Sequence, residues 1–259
     1  MKTLHILLFA AAFSILNFNA THGGEIINGK KANKDSLQYM ASVQWYNQQH
    51  RCGGFLINPC YVLTAAHCDE NGLSVVLGTH NIDPKKNLRR YMMQSKYIHP
   101  SYMLGRPTDG FDIMLLKLSE NVNLNNKDVK TIKIPSDRNK IEPNIKCQVA
   151  GWGRTKTKAQ QTDLMVTDVP IINITVCEKE WNKMKIQLPA NILCAGGYGT
   201  ENGACQGDSG GPLVCNGLAV GIVSFNYKNN CNYPNFPNIY TEISAYKDWI
   251  DKVIKENAC

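Results

Sequence analysis

The chain has 259 residues, 43% of them hydrophobic, and a formal net charge of +7 from 28 Lys and Arg against 21 Asp and Glu. That apolar content excludes a disordered chain and is enough for one large or two small cores. The basic residues are scattered (Lys30, Lys31 and Lys34; Lys85, Lys86, Arg89 and Arg90; Arg154, Lys156 and Lys158) with no aromatic ladder between them. This excludes nucleic-acid readout and leaves a solvated basic surface or attraction to an anionic polymer such as a sulfated glycan.

At the amino terminus Lys2 precedes an apolar run from Leu4 to Phe18, too short to span a bilayer, which reads as a secretory signal. Cleavage after Gly23 places Thr21 and Gly23 at the small-residue positions, whereas cleavage after Ala20 would put bulky Phe18 three residues back; an uncleaved anchor is the alternative. None of the 10 cysteines lies in that segment, and an even number in a secreted chain implies disulfides. No CxxC pair supports a zinc ribbon. Cys52 and Cys68 with His50 and His67 form a conceivable ligand set, but an oxidising compartment favours bridges, so no metal and no cofactor is expected.

The body of the chain has no internal repeat and no flexible linker. Short apolar segments (Tyr39–Trp45, Phe55–Ile57, Tyr61–Leu63, Leu73–Leu77, Ile113–Leu118, Cys147–Ala150, Pro212–Val214 and Leu218–Ser224) are separated by Gly, Asn, Pro and Asp. Their lengths and β-branched content predict strands, and many short strands with turns between them predict an all-β barrel or sandwich. Asn173-Ile174-Thr175 is a glycosylation sequon. Near the end Ile243, Tyr246, Trp249, Ile250, Val253 and Ile254 recur at spacings of three and four, with Lys247, Asp248, Asp251, Lys252 and Lys255 between them. This predicts an amphipathic terminal helix with Trp249 in the core.

Three segments carry chemistry. Thr64-Ala65-Ala66-His67-Cys68 follows a predicted strand, Asp112 opens an apolar one, and Gly207-Asp208-Ser209-Gly210-Gly211-Pro212 sets a serine among glycines. A serine so presented, with backbone N–H groups free to meet a bound carbonyl, reads as a nucleophile beside an oxyanion site. The string also fits the G-x-S-x-G elbow of α/β-hydrolases, but that fold needs its histidine after the serine. All six histidines, at 5, 22, 50, 67, 80 and 99, precede Ser209. The orders His…Asp…Ser and Asp…His…Ser stay open; the second would need Asp35, which has no motif around it.

With its three motifs in the order His67, Asp112, Ser209 and their flanking residues, the chain resembles the chymotrypsin-like (trypsin-fold) serine endopeptidases from Ile26 to the terminal helix. The resemblance implies two antiparallel Greek-key β-barrels with a C-terminal α-helix. It divides the chain into a signal (1–23), an activation dipeptide (24–25) and a peptidase domain (26–259), with barrels at 26–130 and 131–242 and a helix at 243–256. It implies Ser209 as nucleophile, His67 as general base and then acid, Asp112 as orienting carboxylate, and the N–H groups of Gly207 and Ser209 as oxyanion hole. Glu25-Ile26-Ile27-Asn28-Gly29 resembles the family's activation junction, where cleavage frees an α-amino group at Ile26 that pairs with Asp208; Asn28 departs from the usual glycine. The acidic Gly24-Glu25 dipeptide and Leu77–Ile82 resemble the granule-protease branch (granzymes, mast-cell chymases, duodenase-like enzymes). Pro84-Lys85-Lys86-Asn87 lacks paired acids, so no calcium site is expected there.

The same resemblance pairs Cys52–Cys68, Cys147–Cys215, Cys177–Cys194 and Cys205–Cys231. Cys60 and Cys259 are left and are expected to pair with each other, with free thiols or an intermolecular bridge as the alternative. It places Gly203 at the floor of the primary specificity pocket, with walls from Ala204, Asn226 and Asn238, and has Ser224-Phe225-Asn226 pair with the substrate backbone. With no aspartate at 203, cleavage is expected after uncharged residues, large apolar or aromatic first, small apolar or amide second. The expected protein is a secreted or granule-stored monomer acting on protein or peptide substrates. Serpin-type inhibitors and sulfated glycans are candidate partners, and neither nucleic acid nor membrane is. The rivals are a digestive chymotrypsin- or elastase-like protease and a catalytically silent binding relative.

Overall fold

In the computed structural model the short apolar runs pair edge to edge into two closed antiparallel barrels, and a carboxy-terminal helix follows them. The structure describes residues 26–46, 48–138, 141–155, 161–229, 231 and 235–259. The expected signal and activation dipeptide (1–25), and Lys156 and Lys158 of the basic set, lie outside the described residues.

A two-residue strand, β1 (Lys30–Lys31), precedes the first barrel. That barrel is built from β2 (Met40–Gln44), β3 (His50–Asn58), β4 (Tyr61–Thr64), β5 (Ser74–Val76), β6 (Arg90–Ile98) and β7 (Met114–Leu118). Its order is β2-β3-β4-β7-β6-β5, closed by β2 against β5. The second barrel uses β8 (Lys146–Gly151), β9 (Met165–Ile172), β10 (Ile192–Ala195), β11 (Pro212–Cys215), β12 (Leu218–Phe225) and β13 (Asn238–Glu242). Its order is β9-β10-β13-β12-β11-β8, closed where β8 pairs with β9. Closure leaves no long unpaired edge.

Each predicted strand is present, with bounds moved by a few residues. The strands β1, β6, β9, β10 and β13 come in addition to those expected. Along β6, Tyr91 is buried while Met92, Gln94 and Lys96 are exposed, the alternation of a strand with one wet face. A helix, α1 (Ile174–Asn182), sits where only the sequon was read. Asn173 caps it, its side chain accepting from the Thr175 N–H at 2.9 Å, and Cys177 and Trp181 face inward.

The first residues depart from the predicted division of the chain. Residues 26–31 were assigned to the first barrel, but β1 pairs with β9, and Ile26 is buried among Val149, Met165 and Ala204 of the second. At the other end a short 3-10 turn (Ile243–Tyr246) leads into α2 (Lys247–Glu256). Ile243, Tyr246, Ile250 and Val253 pack into the first barrel's core, and Trp249 packs against it. The helix therefore crosses back over the half of the molecule made earliest in the chain. Tyr61 donates to the Asn257 carbonyl at 2.7 Å, and a disulfide joins Cys60 to Cys259. Among the described residues no helix is long and apolar enough to cross a membrane.

Candidate active site

His67 stands on a one-turn 3-10 segment (Ala66–Cys68) directly after β4, and the Cys52–Cys68 disulfide ties that segment to β3. Its backbone N–H donates to Asp112 Oδ1 at 2.9 Å, and its Nδ1 meets Oδ2 of the same carboxylate at 2.7 Å. A carboxylate can only accept, so Nδ1 carries the proton and Nε2 keeps the lone pair. The imidazole is 22% exposed while Asp112 is 1% exposed, so the ring reaches solvent and the carboxylate bonded to it does not.

Asp112 sits just before β7. Burial works against its ionisation, but the His67 ring and amide and the Ser224 hydroxyl outweigh that and hold its carboxyl below the usual range. Ser224 Oγ donates to Oδ2 at 2.5 Å, and Thr241 Oγ1 donates to the Asp112 carbonyl at 3.0 Å. The acid is thus charged, buried and held by hydrogen bonds from both barrels.

Ser209 lies on the turn before β11. Its carbonyl accepts from the Gly53 N–H at 2.8 Å, and the Cys68 sulfur lies 3.8 Å from that same oxygen. These contacts bring the His67 segment and the Ser209 turn to one crevice between the barrels. The turn needs its glycines. Gly207 has φ 94, and a Cβ on Gly210 (φ 80) would fall 2.1 Å from Thr64 Oγ1.

The Gly207 carbonyl accepts from His50 Nε2 at 2.9 Å, while Ser42 Oγ bonds Nδ1 at 2.8 Å. Burial pushes the His50 imidazole down to about 4, against the opposing pull of the Gly207 bond, so the ring is neutral and Nε2 is its donor. Gln44 and Arg90 extend this line: Gln44 donates to Ser42 Oγ at 3.0 Å, and Arg90 donates to Gln44 Oε1 at 2.7 Å. In the sequence His50 figured only as a conceivable metal ligand. Nothing near it in the chain signals Gly207, 157 positions away.

Asp208 is fully buried and accepts from the Gly153 and Cys205 N–H groups at 2.9 and 2.8 Å. Burial outweighs those two bonds and raises its carboxyl to about 7. Ile26 is equally buried, and the Ile27 N–H donates to the Gly203 carbonyl at 3.2 Å, which brings the junction segment to the chain just before Asp208.

Five of the six predicted pocket residues (Ala204, Ser224, Phe225, Asn226 and Asn238) line, with Ser209, a cavity of about 40 Å³. Gly203 is not among its lining residues. Asn238 accepts from the Ala204 N–H at 3.2 Å, and the Asn226 amide donates to Cys231 Sγ at 3.4 Å beside the Cys205–Cys231 bridge. A larger cavity of about 580 Å³, between Lys30, Asn144 and Thr200, holds none of the residues above.

Disulfides join Cys52–Cys68, Cys60–Cys259, Cys147–Cys215, Cys177–Cys194 and Cys205–Cys231. Cys52, His67 and Cys68 bring donor atoms within 4.8 Å of one another, but the two sulfurs are bonded together and offer no thiolate to a metal.

Comparison with known proteins gives the family and the fold. The family model described as Trypsin matches residues 26–250. Chymotrypsin-like elastase family member 1 of Rattus norvegicus is 34% identical over 252 residues, covering 93% of this chain and 92% of that protein. Mast cell protease 2 of Ovis aries is 38% identical over 239 residues, covering 90% and 92%. Among solved structures, neuropsin, a serine protease expressed in the limbic system of mouse brain, superposes with a TM-score of 0.80 at 31% identity, covering 88% of this chain and 100% of that one.

Proposed function

The chain belongs to the trypsin family and is a serine endopeptidase, and on that premise we propose that Ser209, His67 and Asp112 perform its chemistry. The observation that carries this assignment is the 2.7 Å contact from a partly exposed imidazole to a buried, charged carboxylate. Ser209 Oγ attacks the substrate carbonyl as His67 Nε2 takes its proton. Asp112 holds Nδ1–H and stabilises the imidazolium. The tetrahedral oxyanion is met by the N–H groups of Gly207 and Ser209, and the His50 bond to the Gly207 carbonyl holds the Gly207–Asp208 peptide that lies between them. The imidazolium gives its proton to the leaving amine, an acyl-enzyme remains, and water repeats the sequence in reverse.

The same reading makes the protein a zymogen. Residues 1–23 direct secretion, Gly24-Glu25 is removed, and the new ammonium at Ile26 pairs with Asp208. Support comes from a buried carboxylate raised to about 7, from the burial of Ile26, and from the Ile27 N–H bond to the Gly203 carbonyl. The product is a secreted or granule-stored monomer, glycosylated at Asn173, whose partners are protein substrates, serpin-type inhibitors and sulfated glycans. The mast cell relative supports the granule branch and the elastase relative the digestive one.

Cleavage follows uncharged residues, because no acid is among the described residues that line the pocket. Between the two preferences read from the sequence, a cavity of about 40 Å³ supports small apolar or amide side chains over aromatic ones. Two asparagine side chains, Asn226 and Asn238, form part of its wall.

Protein beginning at Ile26 should be labelled at Ser209 by a fluorophosphonate, and a peptide library should show its cleavage preference. Absence of label on folded protein makes it a silent binding relative. Faster cleavage after Arg than after Ala, Asn, Leu or Phe overturns the pocket assignment.

A further inference from the structure

We propose that the aromatic cluster of His99, Phe111, Tyr246 and Trp249 is a positioning device for the Asp112 carboxylate, through which the carboxy-terminal helix helps to orient the catalytic imidazole. The proposal rests on the triad reading above.

The starting observation is a backbone outlier beside the acid. Phe111 has φ 56, in the left-handed region, and the Gly110 before it has φ 89. An L-residue with a bulky side chain rarely adopts that conformation, and it persists only where the surroundings over-determine it. Here they do. The Phe111 ring stacks on His99 with centroids 5.0 Å apart and planes 19° apart. Tyr246 stands edge-on to both rings, at 5.3 Å from His99 and 6.1 Å from Phe111. Trp249 of α2 closes on His99 at 5.3 Å. Tyr246 Oη also accepts from the Phe111 N–H at 3.3 Å, so the helix end holds the main chain of this residue as well as its ring.

The turn so clamped has Asp112 at its apex. The Ile113 N–H donates to the Phe111 carbonyl at 2.8 Å, and the His99 N–H donates to the Ile113 carbonyl at 3.2 Å. Thr241 fixes the Asp112 carbonyl at 3.0 Å. Between these anchors Asp112 has little backbone freedom, and its side chain must leave along one direction, toward His67 and Ser224. A Cβ on Gly110 would approach Pro189 Cβ at 3.2 Å, so the entry to the turn is also hemmed in. Phe111 and its three partners act on the imidazole only through Asp112 and are positioning residues.

The test uses protein beginning at Ile26, with active sites counted by fluorophosphonate and turnover followed on a chromogenic peptide. Tyr246→Phe removes the hydroxyl and keeps the ring. Phe111→Ala removes the stacked ring. In each, kcat per titrated site should fall about tenfold to a hundredfold while KM changes less than about twofold. The acid limb of kcat/KM should move to lower pH, because a displaced carboxylate stabilises the imidazolium less. Phe111→Tyr, which keeps the stacking ring, should restore both. A merely structural cluster would lower the melting temperature or the fraction of titratable sites and leave kcat per site and the acid limb unmoved. That result in Tyr246→Phe overturns the proposal, and this variant carries the test alone if Phe111→Ala fails to fold. A wild-type protein that neither labels nor turns over defeats the triad reading instead.

Discussion

Asp208→Asn should have opposite consequences before and after the chain is cut at Ile26. In the uncut chain the buried carboxylate accepts from the Gly153 and Cys205 N–H groups, and its titration lies at about 7 in place of 3.8. At about 1.4 kcal/mol per pKa unit, that rise amounts to about 4 kcal/mol of strain in holding the charge. The folded chain binds the proton up to about pH 7, whereas the unfolded chain has released it by about pH 4. The precursor should therefore lose up to about 4 kcal/mol of stability as pH rises from 4 to 7, and stay level above. Asparagine carries no charge and should abolish that loss, making the variant precursor more stable than wild type at pH 8 by a similar amount. In the cut chain the proposed pairing of the Ile26 ammonium with Asp208 would compensate the charge, so the pH dependence should shrink in wild type. There Asp208→Asn should cost activity, because the Gly207–Ser209 turn loses its anchor. Urea unfolding with disulfides intact, at pH 4.5, 6 and 8, measures the first effect; peptide hydrolysis and fluorophosphonate titration of the cut protein measure the second. Equal pH dependence in wild-type and Asp208→Asn precursors would refute the argument.

His50 gives the mirror case. Its buried ring titrates near 4 in the fold and near 6.5 when unfolded, so its contribution is present above pH 6.5 and about 3 kcal/mol is lost as pH falls through 4. His50→Gln should flatten acid unfolding between pH 6 and 4 and lower kcat through the Gly207 peptide; an unchanged acid transition would count against it. Replacing both Cys60 and Cys259 by Ser opens a loop of 199 residues, which chain entropy values at about 5 kcal/mol at most, less because other bridges already shorten it. A lower denaturation midpoint with kcat/KM per titrated site retained is expected. An unaltered midpoint would show that the bridge does not form.

Motif spacing made much of this protein legible, because short-range chemistry leaves short-range marks. The glycines flanking Ser209 are needed within a few residues of it, and the 3.6-residue repeat of Ile243 to Ile254 is local to one helix. The missed strands follow the same logic in reverse. β6 carries polar residues on its wet face, so its apolar content shows only once neighbouring strands define an inside. Whether Cys60 reaches Cys259 depended on α2 folding back over the first barrel, which no local pattern encodes.

By itself the sequence determined an all-β body with a terminal helix, the order of the three motifs around His67, Asp112 and Ser209, and the absence of an acid from positions 203, 226 and 238. Each follows from residue identity or near-neighbour periodicity. Only the tertiary structure decided how each site is held: the transfer of the first residues to the second barrel, His50 on the Gly207 carbonyl, the narrow pocket, and the ring stack around Phe111. Those contacts join residues such as 50 and 207, or 111 and 246, far apart along the chain. Their distances and directions are fixed when two barrels close and pack, a collective outcome of burial that no single stretch of residues carries.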